Sequence, residues 1–137
     1  MNKKGFTLIE LIGVILILII LITYAVPRIT KIYKNSKKNT FLNNVATVYS
    51  RSQERRTENK LFDRPTDYIY SEDNTKLNLT GIKLYYCVLF NNGEITYLNV
   101  FDGKYYIEAT ENFDKLKISQ VKENESYVLK CDITNKD

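Results

Sequence analysis

Hydropathy divides the chain into unequal stretches. Residues 6–27, FTLIELIGVILILIILITYAVP, carry one charge, Glu10, in 22 positions. At 1.5 Å rise per residue such a run makes a helix of roughly 33 Å, close to the thickness of a bilayer's hydrocarbon layer. A helix apolar on every side offers no polar face to water, so the run predicts a membrane span. From Arg28 to Lys60 the pattern turns amphipathic. Ile29, Ile32 and Tyr33, then Phe41, Val45 and Val48, recur at helical spacing, and Leu42, Ala46 and Tyr49 widen the stripe. No glycine or proline interrupts residues 28–60. The expectation is one long helix, its first half apolar and its second amphipathic. Pro27 lies at the junction, removes a backbone donor and is expected to kink it.

Beyond residue 60 the period shortens. Residues 61–76 read as a loop, with Arg64-Pro65 unfavourable to helix and a polar cluster from Ser71 to Thr75. Strands are predicted at Ile82–Phe90, Ile95–Phe101, Tyr105–Thr110 and Tyr127–Ile133. In the last of these Tyr127, Leu129, Cys131 and Ile133 alternate on one face. Asp102-Gly103 reads as a two-residue hairpin turn with both φ angles positive. Residues 111–125 are ambiguous, with Ile118–Val121 as a further strand candidate. A sheet of about four antiparallel strands has one apolar face to cover, and the stripe Phe41, Leu42, Val45, Val48 and Tyr49 is the available cover. The expected fold class is therefore α+β, a long N-terminal helix packed on a small antiparallel β-sheet. Its divisions are a leader at 1–5, a span at 6–27, an amphipathic extension at 28–60 and a β-rich head at 61–137.

Charge and composition sharpen this picture. Residues 28–60 hold nine basic and two acidic side chains, and residues 61–137 nine basic and thirteen acidic, so a +7 stem precedes a −4 head. The chain has no histidine, which removes imidazole catalysis and histidine-based metal sites. Gly-rich phosphate loops, metal clusters and catalytic triads are also missing from the sequence, so neither an enzyme nor a cofactor is expected. A conventional signal peptide would have a shorter apolar run and a small-residue cleavage site after it. Here the run is too long and ends in TYAVPRI.

At the N-terminus the residues become specific. Lys3, Lys4, Gly5, Phe6, Thr7, Leu8, Ile9, Glu10 and Leu11 resemble the leader and first helical residues of type IV pilins and pseudopilins. The resemblance implies that a membrane-embedded aspartyl peptidase cuts between Gly5 and Phe6 and methylates the new amino terminus at Phe6. It implies that Glu10, at the fifth mature position, serves assembly, and that Pro27 marks the family's helix kink. The implied partners are other pilin copies, prepilin peptidase, a membrane assembly platform with its ATPase, and the lipid bilayer. The implied location is the cytoplasmic membrane first and a cell-surface filament afterwards.

Glycine before the cut leaves no side chain to obstruct a peptidase at the membrane face. Glu10 has two readings. Thr7-x-x-Glu10 has the spacing of a capping box. The family implies instead a pairing of Glu10 with the Phe6 amine of an adjacent subunit, in a low dielectric where a pair is favoured over two lone charges. Gly13 in the span either permits close helix approach or has no special role. Arg28, Lys31, Lys34, Lys37 and Lys38 outnumber Lys3 and Lys4, and a charge count alone puts the head in the cytoplasm. The leader site favours an external head. The same cations invite a nucleic-acid reading, but without interleaved aromatics a solvated or headgroup-facing stripe is preferred, with acidic heads of neighbouring subunits covering part of the stem in a filament. Cys87 and Cys131 on an exported head are either a disulfide or two small buried apolar residues.

The function expected is a structural subunit of a type IV pilus, with Glu10 arguing for a body subunit. The alternatives are a pseudopilin of type II secretion or competence (DNA uptake), and, more distantly, a single-pass membrane protein with a small binding head.

Overall fold

A computed structural model describes residues 5–133. Lys3 and Lys4 of the leader lie outside the described residues. One α-helix, α1, runs Leu8–Leu61 with Pro27 inside it. The chain forms two compact units, Met1–Lys37 and Lys38–Asp137. The division thus falls inside the helix, ten residues beyond the predicted end of the span.

In the first unit every large apolar side chain from Phe6 to Tyr33 stands exposed, and residues within α1 have an 18-residue window of mean hydropathy 2.8. Thr23 and Thr30, on either side of Pro27, donate their hydroxyls to the carbonyls of Ile19 and Val26 at 2.7 and 2.9 Å. Both threonines satisfy their hydroxyls on the helix backbone, which lets Thr23 lie in the apolar run.

The second unit is a helix on a sheet. Strands β1 (Tyr68–Tyr70), β2 (Tyr85–Asn91), β3 (Glu94–Phe101), β4 (Tyr105–Ala109) and β5 (Lys122–Glu123) form an antiparallel meander in chain order. Phe41, Val45 and Val48 are buried at intervals of four and three residues, one stripe of a helix. They meet Ile69, Tyr86, Val88, Leu98, Val100 and Ile107 in the core. The register explains the alternation: Ile69 opposes Val88, Val88 opposes Leu98, and Val100 opposes Ile107. A bulge leaves Thr96 without an opposite residue, so Ile95 and Leu98, three apart, both reach the helix side. The stripe is narrower than the sequence implied, with Leu42 and Tyr49 half-buried and Ala46 exposed.

Four expectations are corrected. The predicted loop at 61–76 contains edge strand β1, too short to show as a pattern. The hairpin between β3 and β4 turns one residue later than expected. Asp102 N–H donates to the Tyr105 carbonyl, and the two turn residues are Gly103 and Lys104. Only Gly103 has positive φ, at 101°, while Asp102 Oδ1 accepts from the Lys104 and Tyr105 amides at 2.9 and 2.7 Å. The turn with two positive φ angles is Asn92-Gly93, at 48° and 85°. Ile118–Gln120 is a 3₁₀ turn rather than a strand.

Tyr127–Ile133 forms no strand either. Its alternation is nevertheless used, because Tyr127, Leu129 and Cys131 are half-buried in a strap over the sheet face opposite α1. Tyr127 stacks on Tyr106 with centroids 3.8 Å apart. Cys131 is bonded to Cys87 of β2, their Cα atoms 5.5 Å apart. Closing a loop of 44 residues is worth about 4 kcal/mol in the chain-entropy picture. Beneath the strap Asn99 is fully buried. Its amide nitrogen faces Tyr127 Oη, Tyr97 Oη and the Lys130 carbonyl at 2.8, 3.1 and 3.2 Å. Side-chain and carbonyl acceptors hold the strap where a backbone ladder would otherwise do so.

Burial, then the hydrogen bond that Tyr97 donates to Glu108, push the Tyr97 phenol well above its ordinary pKa. Burial likewise raises Tyr127. Because the folded pKa is the higher one, this stabilisation is complete below the ordinary tyrosine value of about 10 and is lost as pH rises beyond it. Denaturation midpoints of the head should therefore fall as pH rises above about 10, and Tyr97→Phe should make that fall shallower. A slope unchanged in the variant would contradict the assignment.

Candidate functional site

The site is the start of α1, residues Gly5–Leu11. Gly5, Phe6 and Thr7 precede the helix without regular structure, and all are exposed. Thr7 is the N-cap. Its hydroxyl accepts from the Glu10 amide at 3.4 Å, and its own amide donates back to Glu10 Oε2 at 2.9 Å. The Thr7 hydroxyl donates to the same oxygen, also at 2.9 Å, and the Leu11 amide closes the first turn on the Thr7 carbonyl. This is a reciprocal capping box, which satisfies amides that a helix start leaves bare. The carboxylate also sits where the helix dipole favours negative charge.

Two details bear on chemistry. Both cap bonds to Glu10 end on Oε2, so Oε1 lies outside the cap. Every partner in the cap lies C-terminal to the Gly5–Phe6 bond, so cutting that bond removes none of them. Gly5 has a further property: among the described residues, a Cβ there would meet nothing within 4 Å. Crowding by the described residues does not ask for glycine at this position.

The other residues singled out from sequence lie elsewhere. Gly13 is half-buried, and a Cβ would meet nothing within 4 Å. Pro27 is an exposed residue within α1. Cys87 and Cys131 belong to the head. Among the described residues no group of His, Cys, Asp or Glu is arranged to hold a metal.

Residues 1–26 match the family model for the prokaryotic N-terminal methylation motif. The chain carries a type IV pilin/pseudopilin prepilin signal. Neither the curated proteins nor the solved structures give a match. The motif implies processing by prepilin peptidase and assembly with other pilins. The α+β layout of α1 and a five-stranded antiparallel sheet is like that of type IV pilins.

Thr7 was visible to sequence reasoning only through its spacing from Glu10. The structure gives it two roles in the cap, as acceptor and donor. Thr7→Ala should destabilise the first turn by about 1 kcal/mol. Hydrogen exchange at the Glu10 amide in micelles should then be several-fold faster. Exchange at the wild-type rate would show that the cap is not holding the turn.

Proposed function

We propose that this chain is a structural subunit of a type IV pilus or a related filament. It is cut between Gly5 and Phe6, methylated at the Phe6 amine, and polymerised through its N-terminal helix. The observation that carries the proposal is the methylation motif set on a span whose single charge is Glu10.

Physical chemistry supports the order of events. Packing among the described residues gives no reason for Gly5, so its reason is assigned to the enzyme that reads it. The cut exposes an amine at the end of an apolar helix whose cap is left whole. A carboxylate at mid-span costs on the order of 2.5 to 3.5 kcal/mol, less near an end. The amine of a sister subunit offsets that cost where the dielectric is low, and Glu10 Oε1, outside the cap, is the oxygen available to it. Aliphatic helices specify little register by themselves, so the pair sets it. Pro27 is proposed as the place where the helix bends on packing into the filament. The unprocessed chain resides in the membrane and the assembled filament at the cell surface. The assembly platform and its ATPase supply the work.

Glu10→Gln separates charge from cap, since glutamine also closes a capping box. In a host with the peptidase and assembly machine, the variant should be trimmed like the wild type. Its filament yield should drop at least about tenfold, the effect of roughly 1.4 kcal/mol. Undiminished yield would contradict the assembly role.

A further inference from the structure

Directly beyond the span lies a cationic surface that is exposed before any filament forms. Between Glu10 and Glu54 the chain has no acidic residue. Arg28, Lys31, Lys34 and Lys37 fall in this acid-free stretch, within the first compact unit. At about 100° per residue, the four cations fan over one half of the helix circumference, and Ile29, Ile32 and Tyr33 occupy the other. Those three apolar side chains are exposed. None of the four cations makes an ion pair among the described residues, and the Lys37 ammonium instead lies 5.4 Å from the centre of the Tyr33 ring. The next cation, Lys38, differs. It belongs to the second unit and donates to the Val121 carbonyl.

We infer that Arg28, Lys31, Lys34 and Lys37 form a headgroup-binding collar for anionic phospholipid at the face where the span leaves the membrane. Three features select this partner. The collar starts one residue after the apolar run ends, so in a straight helix Arg28 to Lys34 rise about 9 Å through a headgroup layer of about 5 to 8 Å. The lysine stems are long enough to bring Lys37 back to the same level. Four cations without ion-pair partners among the described residues attract anionic lipid, each contributing about a five-fold preference near the surface. Exposed Ile29, Ile32 and Tyr33 beside them suit the acyl boundary, where apolar bodies and cationic tips coexist. The collar keeps the subunit at a fixed depth before it polymerises, and it works in either leaflet. The excess of positive charge beyond the span therefore has a role apart from orienting the chain. This inference rests on the span, not on polymerisation.

Tyr24 lies one turn below Arg28 on the cationic side, and the chain contains no tryptophan. Tyr24→Trp in the full chain thus reports on the lipid under the collar. Along α1 it sits about 24 Å from Leu8, too far to report on lipids at the other end of the span. The protein would be reconstituted in bilayers mixing phosphatidylglycerol and phosphatidylcholine, with one or the other brominated on its acyl chains. Quenching should favour the brominated anionic lipid by about five-fold or more in relative association. The preference should shrink towards one at about 1 M salt, and should vanish when Arg28, Lys31, Lys34 and Lys37 are all changed to Gln. Equal quenching by both lipids would overturn the collar, as would a preference that survives the four changes. A signal that answers to an added oligonucleotide or to protein density, but not to lipid charge, would also overturn it by assigning the cations to nucleic acid or to a sister subunit. Quenching by neither lipid would instead refute the membrane span itself.

Discussion

A carboxylate at the start of an otherwise uncharged apolar run is the constraint on which this molecule depends. Glu10 is the one charge in residues 6–27, and water is the partner that such a group loses in a membrane. Within the chain it turns back on Thr7, closing the helix start through Oε2. That contact holds the acid at the head of the helix, beside the Gly5–Phe6 bond proposed for cutting. Cap and proposed counter-charge are compatible because the cap uses Oε2 and leaves Oε1 outside it. The intramolecular bond orders the terminus, and the proposed intermolecular one uses the order.

The head meets a different constraint. A meander of five short strands has two faces, and each needs a cover. On one face the cover is α1, through Phe41, Val45 and Val48. The other is closed by an irregular strap held at Cys131, by aromatic stacking at Tyr127, and by the buried amide of Asn99. A small domain with a modest core gains from such a tether, since a disulfide acts mainly by restricting the unfolded chain. The strap's alternating side chains satisfy the sheet's second face without adding an edge strand to it.

Much of this was legible in the sequence, for identifiable reasons. The long apolar start of α1 announces itself because residues 6–27 carry one charge. The capping box follows from a spacing of three. The helix stripe and the three central strands follow from their periods. What failed to show depends on partners far away in sequence. Whether Tyr127–Ile133 pairs with a strand edge or lies across a face cannot be told from alternation, since both need one side inward. The Gly103 turn shifted because Asp102 binds the turn amides through its side chain, a preference that competes with taking a positive φ itself. Strand β1 is three residues long, below the length at which a pattern exists. At the N-terminus, the geometry of the cap added what spacing could not, namely which carboxylate oxygen it uses.

The account stands or falls on where the mature chain begins. Intact-mass and N-terminal fragment analysis of the protein recovered from cells with an active prepilin peptidase decides it. The account predicts a chain that starts at Phe6, carries one added methyl group on its amine and retains the whole apolar helix. A chain still beginning at Met1, or one cut beyond the apolar run near Ala25, would contradict it.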